Sequence, residues 1–166
     1  MDTLFLENTK EVRKEIVKLE KKLNVKISIL SKRVIIEGNP LDEYEARIVL
    51  EAISFGFPAQ IALSLKEEDI LFRTLPIKHF TRRKNMEIVR GRLIGTHGKT
   101  KQTIENLSNS RIIIKGNTVG IIGPAEEMDE VTTAFANLIR GSKQSNVYKY
   151  LEKIKSLRKE ERRAAE

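Results

Sequence analysis

One frame is written twice along this chain: a helical stretch, two short β-rich runs, a helix opened by proline and a glycine that stops it. In the first pass, residues 9–23 place Val12, Ile16, Leu19 and Leu23 at helical spacing, with Thr9 where an N-cap belongs. Residues 25–30 and 34–37 are β-rich around Ser31-Lys32-Arg33, and a helix over residues 42–53, with Tyr44, Ile48 and Ala52 inward, ends at Gly56. In the second pass, residues 100–108 turn Ile104 and Leu107 inward. Residues 111–115 and 119–122 are β-rich around Gly116-Asn117-Thr118, and Pro124 opens a helix that runs to Arg140 and stops at Gly141. Pro40 to Gly56 is 16 residues and Pro124 to Gly141 is 17. We read this as an internal duplication, which a chain of 166 residues accommodates as two small α+β units. Residues 59–65 add a short helix to the first unit. Residues 70–84 read as the connection between the units, and residues 86–89 as the first strand of the second, with a helical turn over residues 91–93.

Between that turn and the helix at residue 100 lies Ile94-Gly95-Thr96-His97-Gly98-Lys99-Thr100-Lys101. Two glycines at G-x-x-G spacing let a backbone approach a ligand with no Cβ in the way. The helix that follows points its free N–H groups and the positive end of its dipole at the same place, and Lys99 and Lys101 add charge there. Such a loop is a seat for phosphate. Charge placement agrees: residues 1–76 hold 12 Lys/Arg against 13 Asp/Glu, and residues 77–166 hold 19 against 10, so the whole positive surplus shares a half with the loop. A polyanion held by phosphate contacts is the natural partner. The plainer alternative is a solvated, lysine-rich surface.

Other classes are disfavoured. Aromatic residues make up 5% and Trp is absent, which argues against base stacking on an aromatic platform. With no cysteine there is no disulfide and no thiolate site, and with only His79 and His97 a zinc site is not expected; no cofactor is. Nothing at the start reads as a signal peptide, and no run approaches the ~18 consecutive apolar residues of a membrane helix, so a cytoplasmic protein without a membrane partner is expected. Tyr148, Leu151, Ile154 and Leu157 form an apolar stripe that should dock a last helix, residues 147–166, whose cations from Arg158 onward read as solvated and fraying.

The stretch from Gly91 to Thr100, Gly-Arg-Leu-Ile-Gly-Thr-His-Gly-Lys-Thr, resembles a type I KH domain, which has the order β-α-α-β-β-α. Residues 117–123, 138–141 and 147–151 resemble more narrowly the second KH domain of the archaeal two-KH ribosome-biogenesis proteins, relatives of the eukaryotic partner-of-Nob-one family. The likeness in the first half rests on Asn39-Pro40-Leu41 and residues 52–57. The resemblance implies two tandem KH domains. Residues 1–76 would be a degenerate one, residues 77–84 a basic linker, residues 85–146 the active one, and residues 147–166 a C-terminal helix. In the first domain the place of the G-x-x-G loop reads Glu7-Asn8-Thr9-Lys10, with an acid and no glycine, so a scaffold or protein-binding surface is expected there.

In the second domain the resemblance assigns Gly95 and Gly98 to close approach of about four nucleotides of single-stranded RNA, with Thr96, His97, Lys99 and Lys101 at the phosphates. Leu93, Ile94, Ile104, Ile112 and Ile113 would floor an apolar groove for the bases. Arg111 and its strand would read base edges, and Arg90 and Arg92 would widen the basic footprint. The implied RNA is small-subunit ribosomal RNA near its 3′ end, with an rRNA-processing nuclease or a translation-initiation factor as protein partner. Two rivals stay open. A pure protein adaptor would use both domains. An NTPase would use Gly98-Lys99-Thr100 as the end of a P-loop, whose first glycine would fall on Leu93.

Overall fold

Both proline-opened helices form in the computed structural model, which describes residues 1–166, and their caps show why. In the first, α3 (Pro40–Phe55), the Asn39 side chain accepts from the Asp42 N–H at 2.9 Å and Asp42 and Glu43 occupy the first turn. Gly56 ends the helix at φ 137°, a conformation that a Cβ disfavours. The second, α7 (Ala125–Arg140), begins after Pro124, carries Glu126 and Glu127 in its first turn, and ends at Gly141 with φ 112°.

The chain divides into two compact units, Met1–Phe72 and Arg73–Glu166. The first runs β1 (Asp2–Phe5), α1 (Lys10–Lys14), α2 (Ile16–Leu23), β2 (Lys26–Leu30), β3 (Arg33–Glu37) and α3, then α4 (Ala59–Ala62) and a 3-10 turn, Leu63–Lys66. Its sheet has the order β1-β3-β2. Both pairings are antiparallel and register Leu4 on Val34 and Ile27 on Ile36, all four buried. Its first strand, β1, is four residues long. The predicted helix over residues 9–23 is two pieces, because Glu15 leaves helical angles at φ −103°, ψ 12°. Tyr44, expected inward, is 63% exposed on α3, whose buried face is Ala46, Val49, Leu50 and Ile53. Phe57 meets the edges of Phe72 at 5.8 Å and stacks with Phe55 at 6.1 Å, closing that unit's aromatic corner.

The second sheet has the order β4-β6-β5, with β4 (Ile70–Pro76), β5 (Arg111–Lys115) and β6 (Thr118–Pro124). Two expectations are corrected here. The supposed connection, residues 70–84, contains strand β4, held in place by buried Leu75 and Ile77 and by Ile77 N–H on the Asn117 carbonyl at 2.8 Å. Residues 86–89, expected as a strand, open a helix instead, α5 (Met86–Ile94). Asn85 accepts from the Ile88 N–H, and Met86, Val89 and Leu93 are buried at helical spacing. A 3-10 turn, Thr96–Gly98, joins α5 to α6 (Lys99–Ser108). The helices pack over Ile104, Ile112, Ile121, Met128 and Phe135, a core closed to solvent.

The last helix, α8 (Gln144–Ala165), docks through Val147 and Leu151, with Tyr148 and Ile154 half-buried. Leu157, placed on the docking stripe by its spacing, is 45% exposed. Arg158, expected in solvent, bonds Glu127 at 2.8 Å and Glu130 at 2.6 Å, because the acids that favour the start of α7 lie under it. No helix is long and apolar enough to cross a membrane.

Candidate nucleic-acid interface

The G-x-x-G loop joins two helices, not a strand to a helix. Gly95 closes α5 with its N–H on the Gly91 carbonyl at 2.9 Å and then turns to φ 78°. A Cβ there would stand 2.2 Å from Thr100 Oγ1 and 2.7 Å from the Thr100 nitrogen, so this glycine is demanded by the loop's own packing against a buried threonine. His97 (φ 55°) and Gly98 (φ 75°) carry the chain through left-handed angles directly into α6. A Cβ on Gly98 would meet nothing within 4 Å. The two glycines therefore differ: one is fixed from within, and the other keeps the outer surface of the loop bare. No side chain caps α6, so its positive end is open to an anion, and Thr96, His97 and Lys99 stand exposed around it. No acidic residue falls between Ile94 and Lys101.

The remaining predicted residues separate into three groups. Leu93, Ile104 and Ile112 are at most 1% exposed and belong to the core, so they offer no surface to a base. Of the predicted floor residues Ile94 is 38% exposed, while Ile113 is half-buried on the face of β5 opposite core-facing Ile112. Arg90 and Arg92 are bound within the protein. Arg90 donates to Asn117 Oδ1 at 2.7 Å, and Arg92 to the Leu138 carbonyl at 2.9 Å and the Ser142 carbonyl at 2.6 Å. Their guanidinium groups hold the β5–β6 turn and the end of α7. Lys101 and Arg111 both face Glu105, at 3.6 Å and 3.8 Å, while Glu105 also accepts the Ile112 N–H. Charge on that side is partly neutralised, and Lys99 remains the free cation of the loop.

Sequence reasoning missed four residues beside the loop. Ile88, Gly91, Gln144 and Tyr148 line a cleft of ≈ 470 Å³ together with Arg92, Thr96 and Lys99. Gly91 could have been noticed. It sits inside a helix, where glycine costs about 1 kcal/mol relative to alanine, and a Cβ on it would touch nothing within 4 Å. Packing does not require it. Gln144 and Tyr148 reach the cleft only through the fold and left no local signal.

In the first unit, residues 7–9 lie between β1 and α1 and Lys10 opens α1, so they are not the counterpart of the loop. The position between the first two helices is Glu15 alone. There is still no glycine and still a carboxylate, one helix further along than the sequence indicated. No cluster of three His, Asp or Glu side chains is placed to hold a metal ion.

A β-α-α-β-β-α unit whose first two helices are joined by a G-x-x-G turn is the architecture of a KH module. Residues 71–156 match the family model of the second PNO1 KH domain, a eukaryotic type KH-domain (KH-domain type I), and the chain belongs to this family. It is 33% identical over 142 residues to a KH domain-containing protein of Methanocaldococcus jannaschii, covering 81% of this chain and 63% of that one. It is 29% identical over 153 residues to the pre-rRNA-processing protein pno1 of Aspergillus fumigatus, covering 88% and 60%. The chain thus spans less than two thirds of the length of the curated relatives it matches. Among solved structures it resembles a chain of the a/eIF2alpha-aDim2p-rRNA complex from Pyrococcus horikoshii OT3, with a TM-score of 0.82 at 29% identity over 93% of each chain.

Proposed function

We propose that this protein binds single-stranded RNA through the G-x-x-G loop of its second unit, and that the RNA is small-subunit ribosomal RNA near its 3′ end during ribosome assembly in the cytoplasm. The observation that carries the reading is the loop itself. Two left-handed residues lead into an uncapped helix start, with a free lysine and no acid, and Gly98 leaves the outer surface bare. Backbone phosphates fit that seat, and exposed Ile94 offers an apolar surface to the bases beside it. The names of the relatives support the target: one is a pre-rRNA-processing protein, and one was solved with rRNA. The same complex includes a/eIF2alpha, which supports a translation-initiation factor as protein partner ahead of an rRNA-processing nuclease. The first unit is a degenerate KH domain that serves as scaffold or protein-binding surface, with Glu15 where a phosphate would sit.

The protein acts as a binding module, not an NTPase. A P-loop requires a glycine at residue 93, and Leu93 is a buried residue inside α5. The test is a salt titration of binding to RNA with the small-subunit rRNA 3′ sequence and to a scrambled RNA, for wild type and Gly98→Asp. Sequence-dependent binding lost in the variant is expected. Weak binding, equal for both RNAs and abolished by salt, would reduce the site to a basic surface.

A further inference from the structure

We propose that the cleft between α5 and the first turns of α8 is an additional nucleotide site, which takes the residue flanking the stretch held by the G-x-x-G loop and passes its phosphate to a cluster of cations at the end of α7. This rests on the reading of the second unit as an RNA clamp. The cleft and the loop are continuous, because Thr96 and Lys99 belong to both. At ≈ 470 Å³ the cleft has room for a base with its ribose. Its walls suit a flat, partly apolar ligand with hydrogen-bonding edges. Ile88 is 58% exposed on one side, the half-buried Tyr148 ring stands on the other, and the Gln144 amide has no partner within the protein.

Beyond the cleft, cations gather without anions. A Cβ on Gly141 would lie 3.4 Å from Arg83 Nη2 and 3.9 Å from Arg92 Nη1, which puts both guanidinium groups at the C-terminal end of α7. Arg140 extends over the Phe80 ring at 5.7 Å, and exposed Lys143 immediately precedes Gln144. None of Arg83, Arg140 and Lys143 pairs with a carboxylate, and Arg92 is turned to carbonyls. Like charges converging with no counter-ion from the protein call for a mobile anion. A strand leaving the loop through the cleft supplies one at each phosphate.

The test compares the shortest RNA that the loop holds with the same RNA lengthened by one to three nucleotides at its 5′ or its 3′ end. In wild type, lengthening on one side tightens binding roughly tenfold, the size of one stacked base with one phosphate contact. The double variant Ile88→Ser, Gln144→Ala, whose fold is checked by thermal melting, loses that gain and binds the short RNA as before. A 4-thiouridine at the added position crosslinks to the peptide that contains Tyr148. Absence of any gain from lengthening on either side, or a double variant that keeps the gain, overturns the cleft site and leaves the clamp intact. Absence of RNA binding by wild type, or full binding by Gly98→Asp, overturns both.

Discussion

The two glycines of the loop should fail in different ways when replaced, and the difference follows from their surroundings. At Gly98 the penalty is conformational only: a non-glycine residue at φ 75° costs about 1–2 kcal/mol, and the new side chain enters open space. For a unit of this size that lowers the melting temperature by roughly 4–8 °C per kcal/mol. Gly95→Ala carries the same angular penalty at φ 78°, and its methyl group must also displace Thr100, whose hydroxyl would be 2.2 Å away and whose backbone nitrogen 2.7 Å away. Overpacking against a fixed backbone adds about 1–3 kcal/mol, so the total is roughly 2–5 kcal/mol.

Binding reverses the order of interest. An aspartate at residue 98 sets a carboxylate about 5 Å from a bound phosphate. At an effective dielectric of about 20 this repulsion is about 3 kcal/mol, or roughly a hundredfold in Kd. Thermal melts and fluorescence anisotropy on the same samples decide it. Gly98→Asp should stay folded, melting roughly 4–16 °C below wild type, and bind RNA about a hundredfold more weakly. Gly95→Ala should lose most of its stability first. A Gly98→Asp protein that is unfolded, or that binds RNA like wild type, would refute the assignment of the loop's outer surface.

Three further outcomes are expected. Replacing Lys10 and Lys14 by alanine should leave RNA affinity within about twofold, because no G-x-x-G turn joins the first unit's helices; a tenfold loss by anisotropy would make that unit an RNA reader. Arg90→Ala should destabilise the second unit by about 1–3 kcal/mol in denaturant melts, since a charged donor to Asn117 is lost, and unchanged stability would return Arg90 to the RNA surface. Burial pushes the Glu127 carboxyl above its ordinary value, against the pull of Arg158. Its contribution to stability is thus full below the unfolded value of 4.5 and is lost as pH rises through the raised folded value. Glu127→Gln should therefore flatten the stability profile just above pH 4.5, and a profile as steep as wild type would assign the slope to other groups.

What could be read from the sequence was local chemistry. Asn39-Pro40 and Pro124, with Gly56 and Gly141, announce α3 and α7 because capping is decided within a few residues. The G-x-x-G turn and the start of α6 behind it were legible for the same reason. Strand β4 was not, since Pro76 and the cations after it look like a linker and its burial comes from residues some forty positions away. Residues 86–89 looked β-like because Ile88 and Val89 are β-branched. The helical spacing of Met86, Val89 and Leu93 was obscured by exposed Ile88 and Ile94 and by Gly91. The division of isoleucines between core and surface, and the capture of Arg90 and Arg92 by distant carbonyl groups and an amide, depend on tertiary partners that no local pattern reports.

The same order of elements gives different helix junctions in the two units, and the reason is a hydrogen-bond ledger. In the first unit Glu15 departs from helical angles without leaving the helical ladder: its N–H bonds the Glu11 carbonyl at 3.1 Å and its own carbonyl accepts from Leu19 at 2.9 Å. A one-residue junction of this kind opens no gap, and it adds a carboxylate. In the second unit Gly95 ends α5 completely, two left-handed residues reverse the chain, and α6 starts again with no side chain over its first turn. Its positive end is then left open to an anion. Inserting glycines at Glu15 would therefore not create a clamp by removing a charge alone. The first helix must also be terminated, so that the second presents a new N-terminus.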